Sequence, residues 1–182
     1  MHYSPYMCSN YYLPMPYMRQ YPGYWGYPQV IENQFPVQVG KRIEDFRIQD
    51  HGKQPFVIDI EEAAERNRNF RTVIWTGDHL QVTLMSIGVG EDIGLEVHRN
   101  VDQFLRIEEG HGFVQMGDRQ NNLTYQRRVS EDDAIMVPAG TWHNVTNTGN
   151  RPLKLYTIYA PPEHPFGTVH PTKADAMAEE NR

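Results

Sequence analysis

Two short stretches of this 182-residue chain bring together residue types that can do chemistry. In the first, Glu96 and His98 stand two apart and are followed by Gln103; in the second, His143 ends the run Pro138-Ala139-Gly140-Thr141-Trp142-His143. On a β-strand residues i and i+2 point to the same face, so Glu96 and His98 would project together. Imidazole nitrogens beside carboxylate or amide oxygens suit divalent first-row metals. The single cysteine, Cys8, allows no intramolecular disulfide and no thiolate cluster within one chain. Any metal site must therefore use His with carboxylate or amide oxygens.

Such residues need strands to hold them, and the sequence supplies these after residue 70. Before that point, Asp59 stands three residues ahead of Glu62 and good helix formers follow, which predicts a short helix near 60–68. The period then changes to two. FRTVIWTG, HLQVTLMSIGVG (with Leu80, Val82 and Leu84 alternating), IGLEVHR, QFLRIEEG, HGFVQMGD, LTYQRRV, DAIMVPAG, TWHNVTNTG and LKLYTIYAPP form a procession of short strands, most of them separated by Gly, Asn, Asp or Pro. With no helices between them, these predict an all-β antiparallel sandwich or barrel. Residues 171–182 can add a terminal helical turn and are given no function.

Residues 1–36 have a different composition. They hold eight of the eleven tyrosines and six of the thirteen prolines, with Arg19 and Glu32 as the only charges. Proline at this density blocks helix and interior strand, and the aromatics follow neither period, so the segment reads as an extended arm beside a domain spanning 37–170. The arm lies on its own domain or a neighbouring subunit, or else serves as an adhesive segment for assembly, since Tyr offers a large amphipathic contact at low entropic cost. The net charge of -6 argues against nucleic acid as a partner, because phosphate neutralisation needs clustered Lys and Arg. No apolar run reaches the roughly 18 residues of a membrane span and no export signal opens the sequence, so a cytoplasmic protein with a small-molecule partner is expected.

Residues 90–110 and 138–147 resemble the paired motifs of the cupin family, G(x)5HxH(x)4E(x)6G and G(x)5PxG(x)2H(x)3N. Gly90, His98 and Gly110 keep the spacing of the first, and Pro138, Gly140, His143 and Asn147 that of the second. Three positions depart: Glu96 stands where the first His is usual, Gln103 where the Glu is usual, and Asp132 where the second motif opens with Gly. The resemblance covers about residues 75–160. It implies a double-stranded β-helix (jelly-roll) barrel, commonly a homodimer, with Glu96, His98, Gln103 and His143 as ligands of a divalent Fe, Mn, Ni, Co or Zn ion. Gln103 and His143 would arrive from neighbouring strands. The family's single carboxylate has moved from the position of Gln103 to that of Glu96, so the formal charge is kept and the metal site is modified rather than lost. Metal-free cupin barrels also exist, and in that reading these residues are hydrogen-bonded lining and Glu96 is held by an Arg.

With one carboxylate, a divalent ion leaves a local charge of about +1, which suits an anionic or hydroxy-ketone oxygen. An oxygenase or a sugar-isomerase-like enzyme acting on a small oxygen-rich molecule is the leading expectation, and small cupins of this kind are likened to mannose-6-phosphate isomerases. A structural or binding cupin of an assembly is the alternative, since the arm resembles the Tyr/Pro-rich segments of spore-coat proteins. Arg99 and Arg106 fall on the face opposite the ligands, so no phosphate clamp is visible. Gly140 and Pro138 belong to a tight turn, Trp142 to barrel packing, and Asn147 to a turn closure. His2, His51, His79, His111, His164 and His170 are expected to be ordinary loop or surface residues.

Overall fold

A computed structural model describes residues 48–180, so the arm at 1–36 lies outside the described residues. The helix expected near 60–68 is α1 (Ile60–Arg66), and its N-terminus is capped by the Asp59 carboxylate, which accepts from the Glu62 amide. Nine strands follow: β1 (Arg71–Thr76), β2 (Gln81–Ile87), β3 (Asp102–Glu109), β4 (His111–Gly117), β5 (Tyr125–Ser130), β6 (Ala134–Val137), β7 (Trp142–Asn147), β8 (Leu153–Ala160) and β9 (Val169–His170), then α2 (Lys173–Glu180). They form a six-stranded sheet ordered β6-β3-β8-β2-β1-β9 and a three-stranded sheet ordered β5-β4-β7. Every pairing is antiparallel, and the two sheets face each other as a double-stranded β-helix. Among the described residues no helix is long and apolar enough to cross a membrane.

Strand register divides the space between the sheets into layers about 7 Å apart, the rise of two strand residues. Ile87 pairs with Leu153; Met85 with Leu155, which also faces Ile107; Thr83 with Thr157, beside Leu105; and Gln81 with Tyr159, beside Gln103. All of these side chains are buried. The first two layers are apolar and join Val114, Val129 and Val145 of the smaller sheet in one core. The last layer is polar. One end of the lumen is thus a plug of hydrocarbon, and at the other end buried donors and acceptors must find partners.

The apolar alternation Leu80, Val82, Leu84 belongs to the opposite face. Leu84 is fully buried with Ala63, Ala64 and Ile74, and Val82 and Tyr156 pack against this second cluster on the outside of the large sheet. That explains the helix: α1 exists to cover an outer face that would otherwise expose aliphatic surface. At the far end of the chain, α2 puts Ala176 into the lumen core and Lys173 within 2.6 Å of Asp92.

Two sequence expectations need correction here. IGLEVHR is not a regular strand, since between β2 and β3 only the isolated bridges Asp92↔Thr146 and Glu96↔His143 occur. Gly94, at φ 95°, turns the backbone through a region that side chains rarely adopt, and a Cβ there would meet Met177 of α2 at 2.7 Å. Gln103 also does not arrive from a strand paired with the Glu96–His98 segment, since β3 pairs with β6 and β8, whereas His143 on β7 does pair with that segment at Glu96.

Asp132, at the place of the usual glycine, has φ 72° and is the one non-glycine with positive φ among the described residues. Asp tolerates this region better than most side chains, and its carboxylate is 2.5 Å from Arg106. The departure from the motif therefore keeps the backbone shape. Asp132→Val should lower stability by about 1–2 kcal/mol through left-handed strain, whereas Asp132→Gly should leave it nearly unchanged. Urea melts of the two variants beside the native protein check this; equal losses would show that the turn imposes no such demand.

Candidate metal centre

Glu96, His98 and His143 come together at the polar end of the lumen, with ligand-type atoms all within 4.8 Å of one another. His143 is brought in by β7, and Glu96 is aligned with it through paired backbone bonds, Glu96 N–H to His143 O at 3.1 Å and His143 N–H to Glu96 O at 2.9 Å. His98 is fixed one step further on, where its carbonyl accepts from the Gly140 amide at 2.8 Å; Gly140, at φ 80°, makes the tight turn that its place after Pro138 predicts. Asn147 closes a turn as expected, donating to the carbonyls of Ile87 and Arg151 while accepting from Gly149 N–H.

The Nε2 atoms of His98 and His143 each lie 3.3 Å from the same oxygen of Glu96, Oε1. Their Nδ1 atoms face elsewhere: that of His143 is 3.0 Å from the Thr141 carbonyl, and that of His98 is 3.1 Å from Glu163 Oε1. His143 Nε2 is buried and, although close to Glu96, makes no aligned hydrogen bond. Gln103 lies on β3 with its NH2 group donating to Thr157 Oγ1 at 3.2 Å, which leaves its buried carbonyl oxygen without a partner. Two imidazole nitrogens and a carboxylate oxygen within 4.8 Å of one another are the kind of donor set a divalent cation completes, so Glu96, His98 and His143 fit a metal. The alternative in which Glu96 is held by an Arg is not what the structure has; its partners are the two histidines.

Burial acts to raise the Glu96 carboxyl, but the polar contacts and charges of His143 and His98 outweigh it and hold the group down at about 2. For His98, burial acts to lower the imidazole, yet Glu96 and Glu163 together raise it above the ordinary range. Burial pushes the Tyr159 phenol well above its usual value, so it stays protonated. Its hydroxyl has no hydrogen-bond partner, and its ring stands edge-on to both His98 and His164, at centroid distances of 5.5 and 4.9 Å.

Beside the cluster opens a cavity of about 360 Å³ whose wall includes Arg71, Glu96, His98, Glu163, His164 and His170. The expectation that His164 and His170 are loop or surface residues holds for His164, which lies half-buried in the loop between β8 and β9, and fails for His170, which is buried on β9. His170 is 5% exposed and lies 2.7 Å from Glu179. His164 is largely enclosed, and burial first, then the nearby charge of Arg71, press its imidazole down to about 3. Arg71 is 1% exposed on the lumen side of β1. Its signal was available, since it alternates with the buried Val73; Glu163 and His164 sit in a proline-rich loop with no periodicity to read.

This double-stranded β-helix, with its ligand-type cluster at one end, is the architecture of the cupin domain, whose family model matches residues 83–159; the chain belongs to the cupin family. It is similar to the protein YrkC of Bacillus subtilis (strain 168), 54% identical over the whole of both chains. It also resembles the crystal structure of BH2720 from Bacillus halodurans, 70% identical, with TM-score 0.71 over 72% of this chain and 99% of that one. A Klebsiella pneumoniae protein described as having a double-stranded β-helix domain shares the fold at 16% identity, with TM-score 0.50 over 65% of this chain and 100% of its own.

The low value for His164 sets a pH dependence. An unfolded imidazole takes up its proton near 6.5, whereas His164 in the folded chain does so only near 3. The stability held by its neutral form is therefore complete above about 6.5, declines on acidification and is gone below about 3. His164→Phe should remove a slope of at most about 1.4 kcal/mol per pH unit over that window. The urea midpoint of the native protein should fall relative to that of the variant from pH 7 to pH 4; parallel curves would mean that His164 titrates normally.

Proposed function

We propose that the chain is a divalent-metal-binding cupin that acts on a small oxygen-rich molecule, with Glu96, His98, Gln103 and His143 as ligands. The observation that carries this reading is the convergence of two Nε2 atoms on one partly buried carboxylate oxygen. The orphaned Gln103 carbonyl oxygen supports a fourth position. When bound, Fe(II), Mn(II), Ni(II), Co(II) or Zn(II) would supply either Lewis-acid polarisation of a carbonyl, as in an isomerase, or activation of O2 beside a chelated substrate, as in an oxygenase.

The chain's own residues suit such a substrate. The cavity is of small-molecule size and its wall is charged and polar rather than aliphatic, which favours hydroxyl and carbonyl groups. Tyr159, held protonated, offers a hydrogen-bond donor, and neutral His164 offers an Nε2 without a partner. The Arg71 guanidinium at the wall adds a cation that the motifs do not contain. The arm at 1–36 favours a second reading, a structural or binding cupin in an assembly such as a spore coat, and the two roles are compatible. We also read the chain as a homodimer, supported by the edge strand β6, where Met136 is 64% exposed.

The test is metal content per chain after dialysis, with folding checked by circular dichroism. Glu96→Gln should weaken divalent-metal affinity by more than the roughly 10–100-fold typical of losing an outer partner. His98→Ala and His143→Ala should each abolish tight binding and His111→Ala should not. Full occupancy in Glu96→Gln alongside loss in His143→Ala would remove Glu96 from the ligand set. A native protein that retains no metal would leave the structural reading.

A further inference from the structure

An imidazole ligand must present a lone pair at one nitrogen, and which nitrogen that is depends on where the other sends its proton. For His143 the answer is in the backbone: Nδ1 meets the Thr141 carbonyl at 3.0 Å, which cannot donate, so Nδ1 carries the hydrogen and Nε2 is left for the centre. His98 has no such carbonyl. Its Nδ1 meets Glu163 Oε1 at 3.1 Å, and its Nε2 faces Glu96 at 3.3 Å. We propose that Glu163 is a positioning residue for the metal centre: it accepts the Nδ1 hydrogen of His98 and so holds the ring with Nε2 directed at the point shared with His143 and Glu96.

The loop that carries Glu163 is built to hold it there. It runs from the end of β8 to β9, and the next residue, His164, is clamped at both backbone atoms by the carboxamide of Gln81, which accepts from His164 N–H at 3.0 Å and donates to His164 O at 2.8 Å. Gln81 itself is fully buried in the polar lumen layer. Further along, Gly167 N–H donates to Asp50 at 3.0 Å and the Thr168 hydroxyl to the Pro165 carbonyl at 2.8 Å. A loop tied at these points keeps its carboxylate in register with a ring on another segment.

This inference rests on the metal reading above, and the experiment separates the two. Full-length protein is stripped with a chelator, and Zn(II) alone is titrated by competition against a chromophoric chelator at constant pH. Native protein is compared with Glu163→Ala, Glu163→Gln, His143→Ala and, as a control carboxylate in the same cavity, Glu179→Gln. Long-range 15N–1H spectra of the Zn(II)-loaded proteins report which nitrogen of His98 carries hydrogen. Glu163→Ala should lose roughly 10–100-fold in affinity, Glu163→Gln, which keeps an acceptor oxygen, should recover part of it, and Glu179→Gln should match the native protein. In the native protein the His98 hydrogen should reside on Nδ1, with a shifted resonance in Glu163→Ala. If Glu163→Ala binds within about twofold of native, the role of Glu163 is overturned while the metal centre stands; if the hydrogen is found on Nε2, the role of Glu163 is overturned and His98 does not coordinate through Nε2. If the native protein takes up no Zn(II), or binds it no better than His143→Ala, the metal centre falls and the role of Glu163 with it.

Discussion

A carboxylate taken out of water must be paid for in opposite charge or hydrogen bonds, and the polar end of this barrel is organised around that one demand at Glu96. Two imidazoles meet it from different segments. For both to face the same oxygen, their other nitrogens need acceptors on the far side, which are the Thr141 carbonyl and the Glu163 carboxylate. Each acceptor sits on a turn or loop whose geometry is separately fixed, by Gly140 in the one case and by the Gln81 clamp in the other. Removing any one of these supports would leave a buried polar group searching for a partner.

The register of β2, β8 and β3 makes this arrangement affordable in stability, because polar and apolar side chains are sorted along the barrel axis rather than mixed. Met85, Leu155 and Ile107 form one layer and Gln81, Tyr159 and Gln103 another two steps away, with Thr83, Thr157 and Leu105 between. Hydrophobic burial at one end and on the outer face under α1 stabilises the fold. The polar end can then keep donors and acceptors that are not all matched to each other.

The strands, the helix at 60–66 and three members of the cluster were legible in the sequence because they rest on short-range periodicity and on motif spacing. The parity argument for Glu96 and His98 reached the right outcome although residues 91–99 are not a regular strand; isolated bridges to β7 impose the same alternation. Asp132 read as a departure from the motif, yet its φ of 72° preserves what glycine would have provided. Less legible was everything whose meaning comes from folding back. Arg71 alternates correctly but gives no sign of which cavity it reaches, and Glu163, His164 and His170 belong to a loop and a two-residue strand with no period. His170 was misread as a loop or surface residue for that reason, and the enclosure of His164 within its loop went unseen. The outer core under α1 was likewise hidden, since alternation tells that a face is buried without telling which side covers it.

The packing of α2 against the segment that bears Glu96 and His98 has a consequence for how firmly that segment is held. Lys173 reaches Asp92, Ala176 enters the core, and Met177 fills the space beside Gly94. Until residues 173–180 dock, α2 neither reaches Asp92 nor fills the space beside Gly94. The strands pair through their own register, so the segment that bears Glu96 gains this brace only when α2 is in place. A chain cut before residue 173 would therefore lose the brace on the turn that leads into Glu96 and His98, and local opening of that segment would become easier.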